Sequence, residues 1–269
     1  MKLRYNPYEI FTCSTTPAGL YARKKWLNQE PTPQWKADYT QRVEVLLSNQ
    51  SPRGPWQGSA IETIRRLFDL HLTLRVATRE IDTALDWLTG LATEALEGRT
   101  AGNEPLSLER LHALPFVPGD FATLLTSAAL FLSSIFRRGE DARVLAMYER
   151  HSREIISGAT GLQDWSSINN LLRAFVVHHV YSTGAAAGKL VTLLAGAQEG
   201  SGRWGDDLDP YQTVNALAHL DQEDAKPQVI KAFGYLGQTQ NSDGTWGETD
   251  REWNTFLVVH AMRNTGELT

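Results

Sequence analysis

Acidic side chains with the potential for chemistry are concentrated near the carboxyl-terminal end of the 269-residue chain. In chain order they are Asp206, Asp207, Asp209, Glu248, Asp250 and Glu252. Carboxylate oxygens are the ligands that Mg²⁺ takes in proteins, and a bound Mg²⁺ can hold a diphosphate. The first four acids are therefore the predicted ligands of a magnesium site. The competing interpretation is structural, because acids at the start of a helix cap its free N–H groups and favour its dipole.

Aromatic and histidine side chains form a second set of candidates. They are Trp165, Tyr181, Tyr211, Trp253 and His178. Aromatic faces attract cations through their π electrons, so we expect this set to bind a hydrophobic substrate; packing between helices is the other use of such rings. His178 and His179 fall on one predicted helix, where neighbouring side chains point about 100° apart. We therefore do not expect the two histidines to share a metal ion.

Charge and composition exclude several classes of function. The net charge of -5 argues against a general nucleic-acid binder, which would need a basic surface. The single cysteine, Cys13, excludes an internal disulfide framework and any all-cysteine metal site. The sequence has no signal-peptide pattern and no apolar run long enough to span a bilayer. We therefore expect a soluble, cytoplasmic protein without a transmembrane segment or a nucleic-acid partner.

The pattern Q-x-x-x-G-x-W occurs three times in the chain. Its copies are Gln50-Gly54-Trp56, Gln198-Gly202-Trp204 and Gln240-Gly244-Trp246. Repeats of this kind predict a repeat architecture. In each copy the Gln amide can bond the backbone at the end of a helix, the Gly permits a turn, and the Trp ring can cover the start of the next helix.

The helices predicted between these turns alternate between two kinds. Some are apolar nearly all round, such as Phe121–Phe136, which Asp120 is placed to cap, and others are amphipathic, such as Trp35–Leu47. A helix that is apolar on every side must be buried on every side. Two concentric rings of antiparallel helices would produce this alternation. We therefore predict an all-α fold, in which residues 1–269 form one (α/α)6 toroid.

The Q-x-x-x-G-x-W pattern resembles the QW repeat of terpene cyclases of the squalene–hopene type, whose relatives include the protein prenyltransferase β subunits. The resemblance implies an α/α toroid and an enzyme that cyclises an isoprenoid, either a prenyl diphosphate or a polyene, by acid-initiated or diphosphate-initiated chemistry. Class II members carry a D-x-D-D motif, and Asp207-Leu208-Asp209-Pro210 stands in a comparable place. The resemblance implies that Asp209 is the proton donor and Asp207 its neighbour.

Two alternatives remain open at this stage. Pro210 replaces the last acid of the motif, and we do not expect 269 residues to hold the second helical domain of class II cyclases. Both points favour a toroid without catalysis that binds a hydrophobic ligand or a protein partner. The weaker alternative is a carbohydrate-active α/α barrel with paired carboxylates, which would need two acids about 5–10 Å apart in an open groove.

Overall fold

The computed structural model of the protein describes residues 3–74, 76–99, 107, 109–158 and 164–268. This part of the chain holds eleven α-helices and no β-strand beyond two isolated bridges. The helices are α1 Pro17–Lys25, α2 Pro33–Leu47, α3 Ala60–Thr73, α4 Arg79–Leu96, α5 Phe121–Ile135, α6 Ala142–Ser157, α7 Trp165–Val176, α8 Ala185–Ala197, α9 Pro210–Leu217, α10 Ala225–Gln238 and α11 Arg251–Asn264. The predicted all-α class is confirmed.

Many of the helices begin at a polar residue whose side chain accepts a backbone N–H from the first turn. These residues are Thr16, Thr78, Asp120, Asp141, Asp164 and Asp209. Each cap satisfies an N–H group that has no partner within the helix, which is worth about 1 kcal/mol. The predicted cap at Asp120 is among them, so the sequence signal for the start of α5 was correct.

The chain divides into two compact units. Unit 1 contains Met1–Leu46, Leu72–Leu74 and Leu194–Thr269, and unit 2 contains Leu47–His71 and Arg75–Leu193. In unit 1, α9 packs against α10 and α11, and α11 packs against α1. In unit 2, α5 packs against α4, α6 and α7. The single (α/α)6 toroid stays a prediction.

Helix α5 is an example of a predicted apolar helix that is buried on every side. Its ten consecutive residues from Leu124 to Ser133 are all buried, as expected for a helix without a polar face. The hydroxyl of Thr126 within this run donates to the carbonyl of Ala122 at 2.9 Å, so burial leaves that polar group satisfied.

The turn at Gln198 is joined to α10 of unit 1 through one side-chain amide. Gln198 Nε2 donates to the carbonyl of Gly202 at 3.0 Å and to that of Gln228, in α10, at 2.9 Å. The ring of Trp204 is fully buried, and its Nε1 donates to the carbonyl of Leu194 at 3.1 Å. The glutamine thus closes its own turn and holds the first part of α10, which is the second helix after the turn.

The other two turns share the bond from glutamine to the glycine carbonyl and the bond from tryptophan to a main-chain carbonyl, and Gln50 also bonds a residue early in a helix. Gln50 Nε2 donates to the Gly54 and Glu80 carbonyls, both at 2.8 Å, and Gln240 Nε2 donates to the Gly244 carbonyl at 3.0 Å. The two tryptophans are fully buried, and their Nε1 atoms donate to main-chain carbonyls; the pairs are Trp56 with Ser48 at 3.1 Å and Trp246 with Leu236 at 2.8 Å. A seven-residue pattern therefore corresponds to one repeated local structure.

Glycine is required in these turns for two reasons. The φ angle of Gly202 is +93°, which side-chain-bearing residues rarely adopt, and a Cβ there would lie 2.2 Å from the Lys231 carbonyl oxygen. Gly244, with φ of +87°, would place a Cβ 1.9 Å from the carbonyl oxygen of Asn6. The backbone of the turn can approach its neighbour only because this atom is missing.

Candidate functional site

The four predicted magnesium ligands lie in the loops that precede α9 and α11. Asp209 is the N-cap of α9, and its Oδ1 accepts the backbone N–H of Gln212 at 2.8 Å. Asp207 and Glu248 are exposed, and Asp206 is exposed and pairs with Arg203. Asp206, Asp207, Asp209 and Glu248 do not converge on one point. The magnesium site therefore stays a prediction, and the structural interpretation accounts for the position of Asp209.

The surroundings of Asp209 bear on the predicted acid catalysis. A backbone N–H bond and a helix N-terminus both stabilise the ionised carboxylate. A carboxyl group that must protonate a substrate needs the opposite, which is burial without such donors or a second acid close by. Asp207, its predicted neighbour, is exposed to solvent. The roles of Asp207 and Asp209 as acid and neighbour stay predictions that these contacts do not favour.

The predicted binding residues of unit 2 include one compact ring cluster. Tyr181 stacks on Tyr148 at 4.4 Å between ring centroids, and His178 meets both rings edge-on at 4.9 and 4.7 Å. Burial raises the pKa of Tyr181 and lowers the pKa of His178. Trp165 is half-buried at the start of α7. Packing of rings against each other accounts for Tyr181 and His178 without a ligand.

The prediction that His178 and His179 lie on a helix is wrong. Helix α7 ends at Val176, and the two histidines follow it in a turn. A continuing helix would join the Val180 N–H to the Val176 carbonyl, but this N–H donates instead to His178 Nδ1 at 3.2 Å. The two imidazole rings stack at 4.9 Å with planes 13° apart, so the expected divergence of their side chains does not occur.

The two histidines approach Glu140. The Nε2 atoms of His178 and His179 lie 3.9 and 3.7 Å from Glu140 Oε1. Within the described ranges, no other three His, Cys, Asp or Glu side chains place their ligand atoms within 4.8 Å of one another. Because His178 Nδ1 accepts the Val180 N–H, Nε2 of the neutral ring carries the proton. A metal-binding histidine has the reverse arrangement, so His178 does not fit a metal ion here.

A column of four stacked rings runs through unit 1. Trp253 stacks on Phe256 at 5.5 Å, Phe256 on His260 at 5.6 Å, and His260 on His219 at 4.9 Å. We call these four residues the aromatic column. The first three lie three and four positions apart along α11, which places them on one face of that helix. Of the predicted binding residues, Trp253 belongs to this column.

Two further rings lie beside the aromatic column: Tyr21, which is in α1, and Trp26, which directly follows α1. Trp26 stacks on Phe256 at 5.3 Å, and Tyr21 meets Phe256 edge-on at 5.4 Å. The hydroxyl of Tyr21 lies 3.4 Å from His260 Nε2. Tyr21, Trp26 and His260 are half-buried, whereas Phe256 is buried. The spacing of Trp253, Phe256 and His260 in the sequence could have predicted that they share one face of a helix. Nothing in the sequence predicted that α1 packs against that face.

Tyr211 occupies a different place from the aromatic column. It lies in the first turn of α9, is half-buried, and follows the cap Asp209 by two residues. Burial raises the pKa of its hydroxyl to about 12, and the nearby Asp209 carboxylate acts in the same direction. The five predicted binding residues therefore divide, with Trp165, Tyr181 and His178 in unit 2 and Tyr211 and Trp253 in unit 1.

A cleft of about 470 Å³ lies in unit 1 among the last residues of α9, one face of α10 and the end of α11. Its apolar walls are formed by Leu217, Ala218, Leu220, Val229, Ile230 and Phe233. His219 belongs both to the wall of this cleft and to the aromatic column. Asp209 stands at the other end of α9, and a helix of 8 residues is about 12 Å long. Neither Asp207 nor Asp209 lines the cleft.

Comparison with known proteins finds similarity in sequence over only a short stretch of the chain. No family model matches the chain. An enfumafungin synthase from Hormonema carpetanum is 38% identical over 74 residues, which cover 24% of this chain and only 6% of that protein. A short stretch of the chain is thus similar to a terpene-cyclase-related enzyme.

One solved structure shares the fold over almost the whole chain. It is described as a protein from Actinoplanes, with a TM-score of 0.56 and 17% identity over 95% of this chain and 90% of that one. At this level of identity the likeness concerns the fold alone. Among the described helices, none has the length and apolar character needed to cross a membrane.

Proposed function

We propose that this protein binds an isoprenoid in the cleft of unit 1, and that cyclisation of this isoprenoid is its second candidate function. The observation that carries the proposal is the meeting of the apolar cleft with the aromatic column at His219. The similarity of a short stretch to a terpene-cyclase-related enzyme supports the choice of an isoprenoid among hydrophobic ligands.

The walls of the cleft suit a hydrocarbon chain. Leu217, Val229 and Phe233 expose 1%, 5% and 4% of their surface, so they form a fixed floor rather than mobile side chains. A volume of about 470 Å³ falls within the range of small-molecule sites, about 300–1,000 Å³. Each Å² of apolar ligand surface removed from water contributes about 25 cal/mol. An apolar floor also favours an isoprenoid over a carbohydrate, which would need polar partners throughout.

Binding without catalysis is the function that the geometry supports best. The predicted proton donor Asp209 serves as a helix cap and does not line the cleft. The predicted magnesium ligands do not converge within the described ranges. Both observations favour a binding role over acid-initiated or diphosphate-initiated cyclisation.

Cyclisation is a second candidate, and the aromatic column is the observation that favours it. A carbocation formed from an isoprenoid needs a wall of π faces to stabilise it away from water. The half-buried rings of Tyr21, Trp26 and His260, which pack around Phe256, offer such faces. This second function requires a group that starts the reaction, and Asp209 is the predicted one.

The first experiment tests binding and uses one pair of matched variants. Ile230 lines the cleft with 68% of its surface exposed, and Val45 is a 50% exposed apolar residue outside it. Neither side chain is needed for the core, so Ile230→Ser and Val45→Ser should both fold. We expect farnesol to bind the wild type, with about three- to tenfold weaker binding to Ile230→Ser and no change in Val45→Ser.

The measurement is a titration followed by tryptophan fluorescence, preceded by organic extraction and mass spectrometry of the purified protein. A co-purified isoprenoid would support the proposal directly. Absence of farnesol binding, or equal affinity of the two variants, would contradict binding in this cleft. Incubation with prenyl diphosphates and Mg²⁺, with product analysis by gas chromatography, separates cyclisation from binding alone.

A further inference from the structure

We infer that the turn after α7 is a pH-sensitive switch, which is closed while the ring of His178 is neutral and opens when that ring takes up a second proton. The switch lies in unit 2 and is independent of the isoprenoid site proposed in unit 1. Two observations carry it: the hydrogen bond that closes the turn, and the enclosure of the ring by its neighbours.

The turn is closed by a bond to the imidazole ring itself. Nδ1 of His178 accepts the Val180 N–H at 3.2 Å, as the side-chain oxygen of an Asn or Asp does when it bonds the backbone two residues on. We call this contact the closing bond. Nδ1 can accept only while it carries no proton, whereas a charged imidazole donates from both nitrogens. In the charged ring, Nδ1–H and the Val180 N–H would be two donors facing each other, so the closing bond is lost.

The ring of His178 is enclosed by other rings. It exposes only 2% of its surface, meets Tyr148 and Tyr181 edge-on, and stacks on His179. A charge on a ring in such surroundings is not hydrated, and burial therefore disfavours the imidazolium. The closed turn thus selects the neutral ring, and water outside the turn selects the charged one.

Nε2 of His178 faces Glu140 and the backbone of Gly139. It lies 3.9 Å from Glu140 Oε1, and a Cβ on Gly139 would lie 3.2 Å from it. Nε2 is buried and makes no hydrogen bond of good geometry within the described ranges. Burial is the largest effect on the pKa of His178 and lowers it; the Gly139 backbone raises this pKa, His179 lowers it and Glu140 raises it.

The titratable groups around the ring come from every segment that packs on it. Among the described residues they are Tyr148 of α6, Glu140 in the loop before α6, and His179 and Tyr181 in the turn itself. Glu140 is the one acid of this set, and it is exposed. It favours the charged ring without reaching hydrogen-bonding distance in the closed turn.

The switch opens toward acidic pH. Because the pKa of His178 is lower in the folded chain than its usual value of 6.5, the neutral ring stabilises the closed turn fully above that pH. This contribution is lost as the pH falls below 6.5 and the ring takes up its second proton. Tyr181 directly follows Val180, so we expect the opening to move its ring off Tyr148, on which it stacks at 4.4 Å.

The test follows the His178 ring and the Val180 amide by NMR in one titration of the full chain from pH 8 to pH 4.5. At pH 8 the ¹⁵N shifts of the ring should show the proton on Nε2 and none on Nδ1. As Nδ1 gains its proton, hydrogen exchange of the Val180 amide, corrected for its intrinsic rate, should become at least about fivefold faster. Both changes should share one midpoint below pH 6.5.

Three variants locate the effect. His178→Asn keeps an acceptor for the Val180 N–H but does not titrate, so its Val180 amide should stay protected at both ends of the titration. Glu140→Gln should move the midpoint to lower pH, because the carboxylate that favours the charged ring is gone. His179→Gln is the matched control: this neighbour is exposed, and the closing bond and its response to pH should remain.

The wild type and the exposed Glu140→Gln variant decide the matter even where His178→Asn fails to fold. A proton on Nδ1 at pH 8 would overturn the switch, because the closing bond would then not exist. Val180 exchange that stays constant while His178 titrates, or a ring that remains neutral down to pH 4.5, would also overturn it. So would a folded His178→Asn variant with the pH response of the wild type, because another group would then be titrating.

Discussion

The side-chain amide of Gln240 forms hydrogen bonds with both the N–H and the carbonyl group of Tyr5. Its Oε1 accepts the Tyr5 N–H at 3.2 Å, and its Nε2 donates to the Tyr5 carbonyl at 3.1 Å. The same Oε1 also accepts the N–H of Arg4 at 3.0 Å. In the other two turns the glutamine reaches the carbonyl of Glu80 or Gln228, early in a helix. An N-terminal segment outside the helices thus occupies, at the third turn, the place that a helix takes at the other two.

Removing the Gln240 side-chain amide should lower the free energy of unfolding more than removing the glutamine amide of another turn. The Gln240 side chain forms four hydrogen bonds, to Arg4, Tyr5 twice and Gly244, whereas that of Gln198 forms two, to Gly202 and Gln228. At about 1 kcal/mol for each bond, Gln240→Ala should lower the free energy of unfolding by about 3–4 kcal/mol and Gln198→Ala by about 2. Urea denaturation measures both, with the exposed Gln238→Ala as control. Equal losses would show that the N-terminal segment contributes nothing through Gln240.

The glycine of a turn should not accept even one added methyl group. In Gly202→Ala the new Cβ meets the Lys231 carbonyl oxygen at 2.2 Å with φ at +93°. We expect a loss of at least about 2 kcal/mol, because both the conformation and the overlap are unfavourable. Gly200, two residues earlier, has no atom within 4 Å of an added Cβ and no positive φ. Gly200→Ala should change stability by less than about 1 kcal/mol, in the stabilising direction. Similar thermal unfolding of the two variants would contradict this account of the turn.

Two substitutions at Asp209 separate its role as a helix cap from its predicted role as a catalytic acid. Asn caps a helix as well as Asp does, so Asp209→Asn should keep the stability of the wild type, whereas Asp209→Ala should lose about 1 kcal/mol. Asn cannot donate a proton as a carboxylic acid can. If the chain cyclises an isoprenoid with Asp209 as the acid, Asp209→Asn should abolish turnover while farnesol still binds. Full turnover in Asp209→Asn would exclude that acid role.

Glu154 should make the stability of unit 2 depend on pH at the acidic end. A hydrogen bond from His151, with Nδ1 3.1 Å from Glu154 Oε2, is the main cause that lowers the pKa of Glu154 from 4.5 to about 2. Because the pKa is lower in the folded state, the ionised group stabilises the fold fully above about pH 4.5. This contribution is lost as the pH falls toward 2.

Chemical denaturation of the wild type and Glu154→Gln between pH 7 and pH 2.5 measures this effect. The difference in unfolding free energy between them should be steady from pH 7 to about 5 and should shrink below that. Glu149→Gln, on the same helix, corrects for the loss of a negative charge from α6. A difference that grows as the pH falls would contradict the sign of the shift.

The sequence predicted those features that depend on contacts near in the chain. The all-α class, the cap at Asp120 and the burial of α5 on every side follow from the spacing of polar and apolar residues. The repeated hydrogen bonds of Gln50, Gln198 and Gln240 follow from one short pattern. The end of α7 was missed because the ring of His178 takes the N–H of Val180, and no propensity of the residues near Val176 indicates that competing bond.

The sequence by itself determined the all-α class, the three turns and the acids at the start of α9. Each of these depends on hydrogen bonds and burial within a few residues or one helical turn. Only the tertiary structure decided that His219 meets His260, that Trp26 and Tyr21 pack on Phe256, and that the cleft opens at the far end of α9 from Asp209. These relationships depend on how helices pack across more than forty residues of chain, and such packing is fixed by shape complementarity, which a local pattern does not encode.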